Sequence, residues 1–119
     1  MIISDRRGVA PLLEFCDTGE DLSGFSAADR VVGKAAALLY VRLKVRAVYA
    51  EVLSKSAQAV LTRNGISCDG STVVDSIMNR AGDGMCPMEM TVLHIDSPEE
   101  ALAALREKIA MMRSGMPQG

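Results

Sequence analysis

The chain has 119 residues and a mass of 12.7 kDa, 49% hydrophobic but only 3% aromatic, with eight Met and no Trp. That length fits a single domain over residues 1–119, whose core is built from aliphatic side chains and needs neither a metal nor disulfides to fold; the composition excludes disordered and disulfide-scaffold classes. A net charge of −2 lacks the basic footprint of a nucleic-acid-binding domain, and no apolar run nears the roughly 20 residues of a membrane span.

In chain order, Gly8-Val9-Ala10-Pro11 before Leu12, Leu13, Phe15 and Cys16 predicts a short helix over about 10–17, followed by a loop to Gly24. Ser26 with Asp29 three positions on has the spacing of a capping box, and Val31, Ala35, Leu38 and Leu39 repeat on one face, so a helix is expected from 26 to about Tyr40. Val45, Val48, Tyr49 and Val52 predict a strand over about 46–53. Ser54 or Ser56 then caps a helix through Arg63, which Asn64-Gly65 ends with a left-handed residue.

Ile66-Ser67 reads as a further short strand, and Thr72 as the cap of a short helix turning Val73, Val74, Ile77 and Met78 inward. A glycine-containing loop over Arg80–Met85 leads to Cys86 as an N-cap, with Pro87 as first helical residue. Ser97-Pro98-Glu99-Glu100 opens a last helix with Leu102, Leu105, Ile109 and Met112 on one stripe, ending near Ser114-Gly115. With Ile2-Ile3 as an opening strand, the order implies an α/β sheet covered by helices.

Three features could carry chemistry. In Gly82-Asp83-Gly84-Met85-Cys86-Pro87-Met88-Glu89, a thiol at a helix start has its pKa lowered by the backbone dipoles, and a glycine loop lets amides face an anion. Cys86 would then alkylate faster than Cys16 and Cys68; alternatively it is a packed N-cap residue. In Asp29-Arg30-Val31-Val32-Gly33-Lys34, a helical reading spaces Arg30 and Lys34 one turn apart, where they could hold a phosphate; alternatively they are solvated stems beside a packing glycine. GKAAA is not a nucleotide P-loop. His94, the one histidine, lies near a helix end and suits dipole complementation better than catalysis.

The strings Ala28-Asp29-Arg30-Val31-Val32-Gly33-Lys34-Ala35-Ala36-Ala37-Leu38-Leu39, Val52-Leu53-Ser54, Asn79-Arg80 and Cys86-Pro87-Met88-Glu89 resemble the domain-of-unknown-function 1893 family up to about residue 93. The resemblance implies a three-layer α/β/α, cytidine-deaminase-like fold, here lacking a first strand that similar proteins place before Ile2-Ile3, and no established reaction. Its motif positions fall on Asp29, Arg30, Gly33, Lys34, Asn79, Arg80, Cys86 and Glu89. Zinc deaminases need H-x-E or C-x-E plus P-C-x-x-C; neither string is present, so no cofactor and no tightly held zinc are expected.

The resulting expectation is metal-independent binding of, or catalysis on, a small anionic or nucleoside-like ligand. Cys86 and Asp29 are the candidate catalytic groups; Arg30, Gly33, Lys34, Asn79, Arg80 and Glu89 are the candidate ligand contacts. The competing expectation is an interaction or oligomerisation module in which the same motifs are structural. Three cysteines without CxxC spacing read as reduced thiols of a cytoplasmic protein. So few strands, an unpaired edge and a Met-rich surface point to a homodimer.

Overall fold

A computed structural model describes residues 2–3, 12–13, 16, 23–75, 77, 84 and 87–113. Its elements are β1 (Ile2–Ile3), β2 (Ser26–Val32), α1 (Lys34–Leu43), β3 (Ala47–Ser54), α2 (Lys55–Arg63), β4 (Ser67–Val74), α3 (Pro87–Thr91) and α4 (Pro98–Arg113). Three long parallel strands, β2, β3 and β4, lie side by side in chain order, and the two-residue β1 adds to the outer side of β2 through Ile2↔Ala27 and Ile3↔Ala28. The fold is therefore mixed α/β, a parallel sheet flanked by helices.

Parallel neighbours need a crossover, and α1 and α2 supply it in two successive βαβ units. The right-handed rule for such units places both helices on one face of the sheet, and the two do pack together. α1 also touches α3 and α4, so it is enclosed: every residue from Ala35 to Tyr40, and Leu43, is buried. Its three alanines, Ala35 to Ala37, leave no bulk to hold neighbours away. Leu38, Leu39, Val32, Val48, Leu53, Leu61, Val92 and Leu105 complete the innermost core. No helix among the described residues is long and apolar enough to cross a membrane.

Two sequence expectations are corrected here. The helix expected from Ser26 to Tyr40 is a strand, a one-residue break at Gly33 and a helix. The capping-box spacing at Ser26 and Asp29 is coincidental, because Ser26–Val32 pairs with β3 along Ser26↔Ala47 to Val32↔Leu53, and tertiary pairing overrides the helical preference of Ala27 and Ala28. The short helix expected after Thr72 is the second half of β4, which extends the Ile66-Ser67 strand to Val74 and pairs with the whole of β3. Asp69 and Gly70 are poor strand formers, which conceals this strand in the sequence.

The remaining elements follow the sequence within a residue or two. β3 spans Ala47–Ser54, Ser54 caps α2 with Gly65 left-handed just past its end (φ 74°), and Pro87 opens α3. Ser97 precedes α4, its Oγ accepting from Glu100 N at 3.4 Å, and Leu102 and Leu105 of that helix are buried. Of the helix expected at 10–17, Leu12, Leu13 and Cys16 are helical, with both leucines in the core; its other residues, and the loop over Arg80–Met85 apart from Gly84, lie outside the described residues.

Candidate functional site

All strands being parallel, β2 and β4 end on the same edge of the sheet, and the segments that carry the sequence motifs leave from that edge. Open α/β sheets hold their ligands outside the carboxyl ends of their strands. Asp29 to Lys34 spans the end of β2 and the first residue of α1; residues 75–86 join the end of β4 to α3, which bears Glu89.

The junction is organised by one carboxylate. α1 starts without a side-chain cap of its own: its N-cap is Gly33, in extended conformation, and its first turn holds no acidic residue. Glu89, buried, supplies both missing acceptors, Oε1 accepting from Lys34 N at 2.7 Å and Oε2 from Ala35 N at 2.7 Å. The contact joins residues 55 positions apart. Charge-assisted bonds of this length are about twice as strong as neutral ones, and the carboxylate meets the positive end of the helix dipole. Gly33 is required by space: a Cβ there would come within 2.5 Å of Glu89 Cδ.

Lys34 completes the link. Its Nζ donates to the Leu93 carbonyl at 3.2 Å and lies 3.3 Å from Asp96 Oδ1, with the side chain only 14% exposed. The turn between α3 and α4 is thereby tied to the start of α1. Arg30 stands on β2 and is exposed, so the helical spacing that paired it with Lys34 around a phosphate does not exist.

Asp29 is half-buried, its Oδ1 accepting from Arg30 N at 2.8 Å and its Oδ2 from the Tyr40 hydroxyl at 3.0 Å. Burial raises its pKa above the ordinary carboxyl value, and the two hydrogen bonds oppose that rise. The Tyr40 phenol is pushed upward as well, by burial first and then by the neighbouring Asp29 charge. It therefore stays a hydrogen-bond donor through neutral pH. Sequence reasoning missed Tyr40; the available signal was a polar-tipped aromatic in an otherwise apolar helix, which when buried finds a partner for its hydroxyl.

The structure thus brings together Gly33, Lys34 and Glu89 in one contact and holds Asp29 by a second. Asn79, Arg80 and Cys86 lie outside the described residues. His94 is exposed in the turn after α3. Neither Cys16 nor Cys68 forms a disulfide, and among the described residues no group of three His, Cys, Asp or Glu is gathered to hold a metal ion. Glu89 is buried, and each of its oxygens accepts from a backbone amide of α1. Asp29 keeps acceptor capacity, since a carboxylate offers about four lone-pair sites and two are used.

No curated protein matches the chain. Among solved structures, it is similar to the crystal structure of a DUF1893 family protein, TM1506, from Thermotoga maritima, with a TM-score of 0.81 and 31% identity over 88% of this chain and 71% of that one. Residues 1–109 match the family described as TM1506, Domain of unknown function (DUF1893). With that match spanning all four strands and most of α4, and a fold shared with one of the family's solved structures, the chain belongs to the DUF1893 family.

Proposed function

We propose that this protein is a metal-independent binder of a small nucleoside-like molecule, taken up at the carboxyl edge of the sheet on a cytidine-deaminase-like scaffold in the cytoplasm. The observation that carries the reading is Asp29: a half-buried carboxylate midway along β2, three residues short of that edge, held in place by the Tyr40 hydroxyl and the Arg30 amide, with lone pairs to spare. Such a group accepts hydrogen bonds from the hydroxyls of a sugar or the amino groups of a base. The deaminase-like scaffold is supported by the parallel βαβ units with helices packed against them, and the cytoplasmic setting by three cysteines without CxxC spacing.

The labour divides among the motif residues. Gly33, Lys34 and Glu89 build the junction, because the amides at the start of α1 already hold the protein's own carboxylate. Ligand contact falls to Asp29, with Asn79, Arg80 and the Cys86 thiol proposed to join it from the segment between β4 and α3; Arg30, next to Asp29 on β2, faces the other side of the sheet. A purely anionic ligand would have to rely on Arg80, since Lys34 is engaged with Leu93 and Asp96.

Calorimetric titration of the protein, in chelator, with a panel of ribo- and deoxyribonucleosides and with inorganic phosphate tests this. At least one nucleoside should bind, and Asp29→Asn should weaken it by roughly tenfold or more, the scale of one charged hydrogen bond. Binding of phosphate alone, or nucleoside binding indifferent to Asp29→Asn, would refute the assignment.

A further inference from the structure

β4 is an edge strand of a kind that folded proteins normally protect. It pairs with β3 on one side, and among the described residues no strand pairs with the other. Edges are usually blunted by Lys, Pro, bulges or very short strands. β1, at the opposite edge, is two residues long. β4 runs for eight residues, Ser67–Val74, with neither Lys nor Pro and with Asp69 as its one charge. Ser67, Asp69, Ser71, Thr72 and Val73 are exposed, and Tyr49, register partner of Asp69 on β3, is 45% exposed.

We infer that β4 pairs with β4 of a second copy of this chain, antiparallel about a two-fold axis normal to the sheet, so that one sheet runs through both. The strand is self-complementary in a register that overlaps seven of its eight residues. An axis normal to the sheet keeps each face on its own side, so only residues of the same face can oppose each other. Asp69, Ser71 and Val73 share a face by strand alternation. Placing Asp69 opposite Asp69 of the second copy confronts like charges. A shift of two residues puts Asp69 opposite Ser71 of the second copy, and by symmetry Ser71 opposite its Asp69, so that a hydroxyl donates to a carboxylate twice. Gly70 then lies on the axis, Ser67 faces Val73, and Cys68 faces Thr72. Asp75, ion-paired at 2.9 Å with Lys55, falls opposite Gly65, which presents neither charge nor bulk. No charge opposes a like charge anywhere along the strand, and a symmetric pair is the commonest closed assembly.

Sedimentation equilibrium from low to high micromolar concentration reads this directly. The wild-type mass should rise from 12.7 kDa toward twice that value. Ser71 is exposed, so its replacement leaves the core intact. Ser71→Asp sets two pairs of carboxylates against each other and should weaken association tenfold or more. Ser71→Lys sets opposite charges together and should tighten it roughly threefold to tenfold, a gain that high salt removes. A wild-type mass that stays at one chain overturns the proposal; so does association that neither variant alters. Far-ultraviolet circular dichroism confirms that each variant is folded, and the lysine variant decides alone should the aspartate variant unfold.

Discussion

α1 and α2 are consecutive helices of similar length, both following a strand of the same sheet, yet their first turns are completed in opposite ways. α2 is capped from within: Ser54, the last residue of β3 and fully buried, accepts from Ala57 N at 3.0 Å. α1 is capped from across the molecule by Glu89, while its own N-cap, Gly33, contributes no side chain. A local cap fixes only where a helix begins. The remote cap fixes in addition where α3 sits, so the motif around Gly33 and the motif around Glu89 are two halves of one contact.

The sharpest way to break that contrast is Gly33→Ala. The backbone at Gly33 (φ −102°, ψ −174°) is one that alanine adopts freely, so the penalty comes from overlap with the Glu89 carboxyl. Displacing a buried carboxylate from two amide donors should cost roughly 3 kcal/mol. In a Glu89→Ala background the same substitution should be nearly neutral, and urea unfolding of the four proteins in this cycle measures the coupling. Equal penalties in both backgrounds would mean that the glycine serves something other than the carboxylate.

Ser54→Ala gives the local counterpart. It should lower stability by about 1 kcal/mol, the usual range for a lost serine cap, and should add independently to Gly33→Ala because the two caps share no partner. Strong non-additivity in the same unfolding assay would show that α1 and α2 do not start independently.

The smallest expected effect concerns a polar link between α1 and the strand that precedes it, Tyr40 to Asp29. Asp29 has its pKa raised in the folded protein, so the native state holds that proton more tightly than the unfolded chain does. The stability arising from Asp29 is therefore present below the ordinary value near 3.8 and is lost as pH rises through the raised folded value. Asp29→Asn should flatten that part of the stability–pH curve. Tyr40→Phe removes a bond that lowers the Asp29 pKa and should move its carboxyl titration, followed by carbon-13 NMR, to higher pH. A shift to lower pH would contradict the assigned hydrogen bond.

What could be read from sequence divides along the same line between local and remote. β3, α2 with its serine cap, α3 from Pro87 and α4 from Ser97-Pro98 were legible, because each is announced by residues within one turn of its start. β2 was not: Ser26 and Asp29 satisfy a local rule for helices, and only pairing with residues about 20 positions away decides otherwise. β4 was concealed in the same manner by Asp69 and Gly70. For the site, the residue types around Gly33 and Glu89 stood out at once, but a contact across 55 positions leaves no local periodicity. Tyr40 was passed over because its apolar neighbours made it look like core alone.

The remote cap also sets an order of events during synthesis. β2, α1, β3, α2 and β4 all leave the ribosome before Glu89 does, and chains begin folding from the emerged part. Until residue 89 arrives, the amides of Lys34 and Ala35 have only water or a passing anion for partners. α3, five residues long, is too short to form by itself. The start of α1 and the whole of α3 are thus completed together, once residue 89 has left the ribosome.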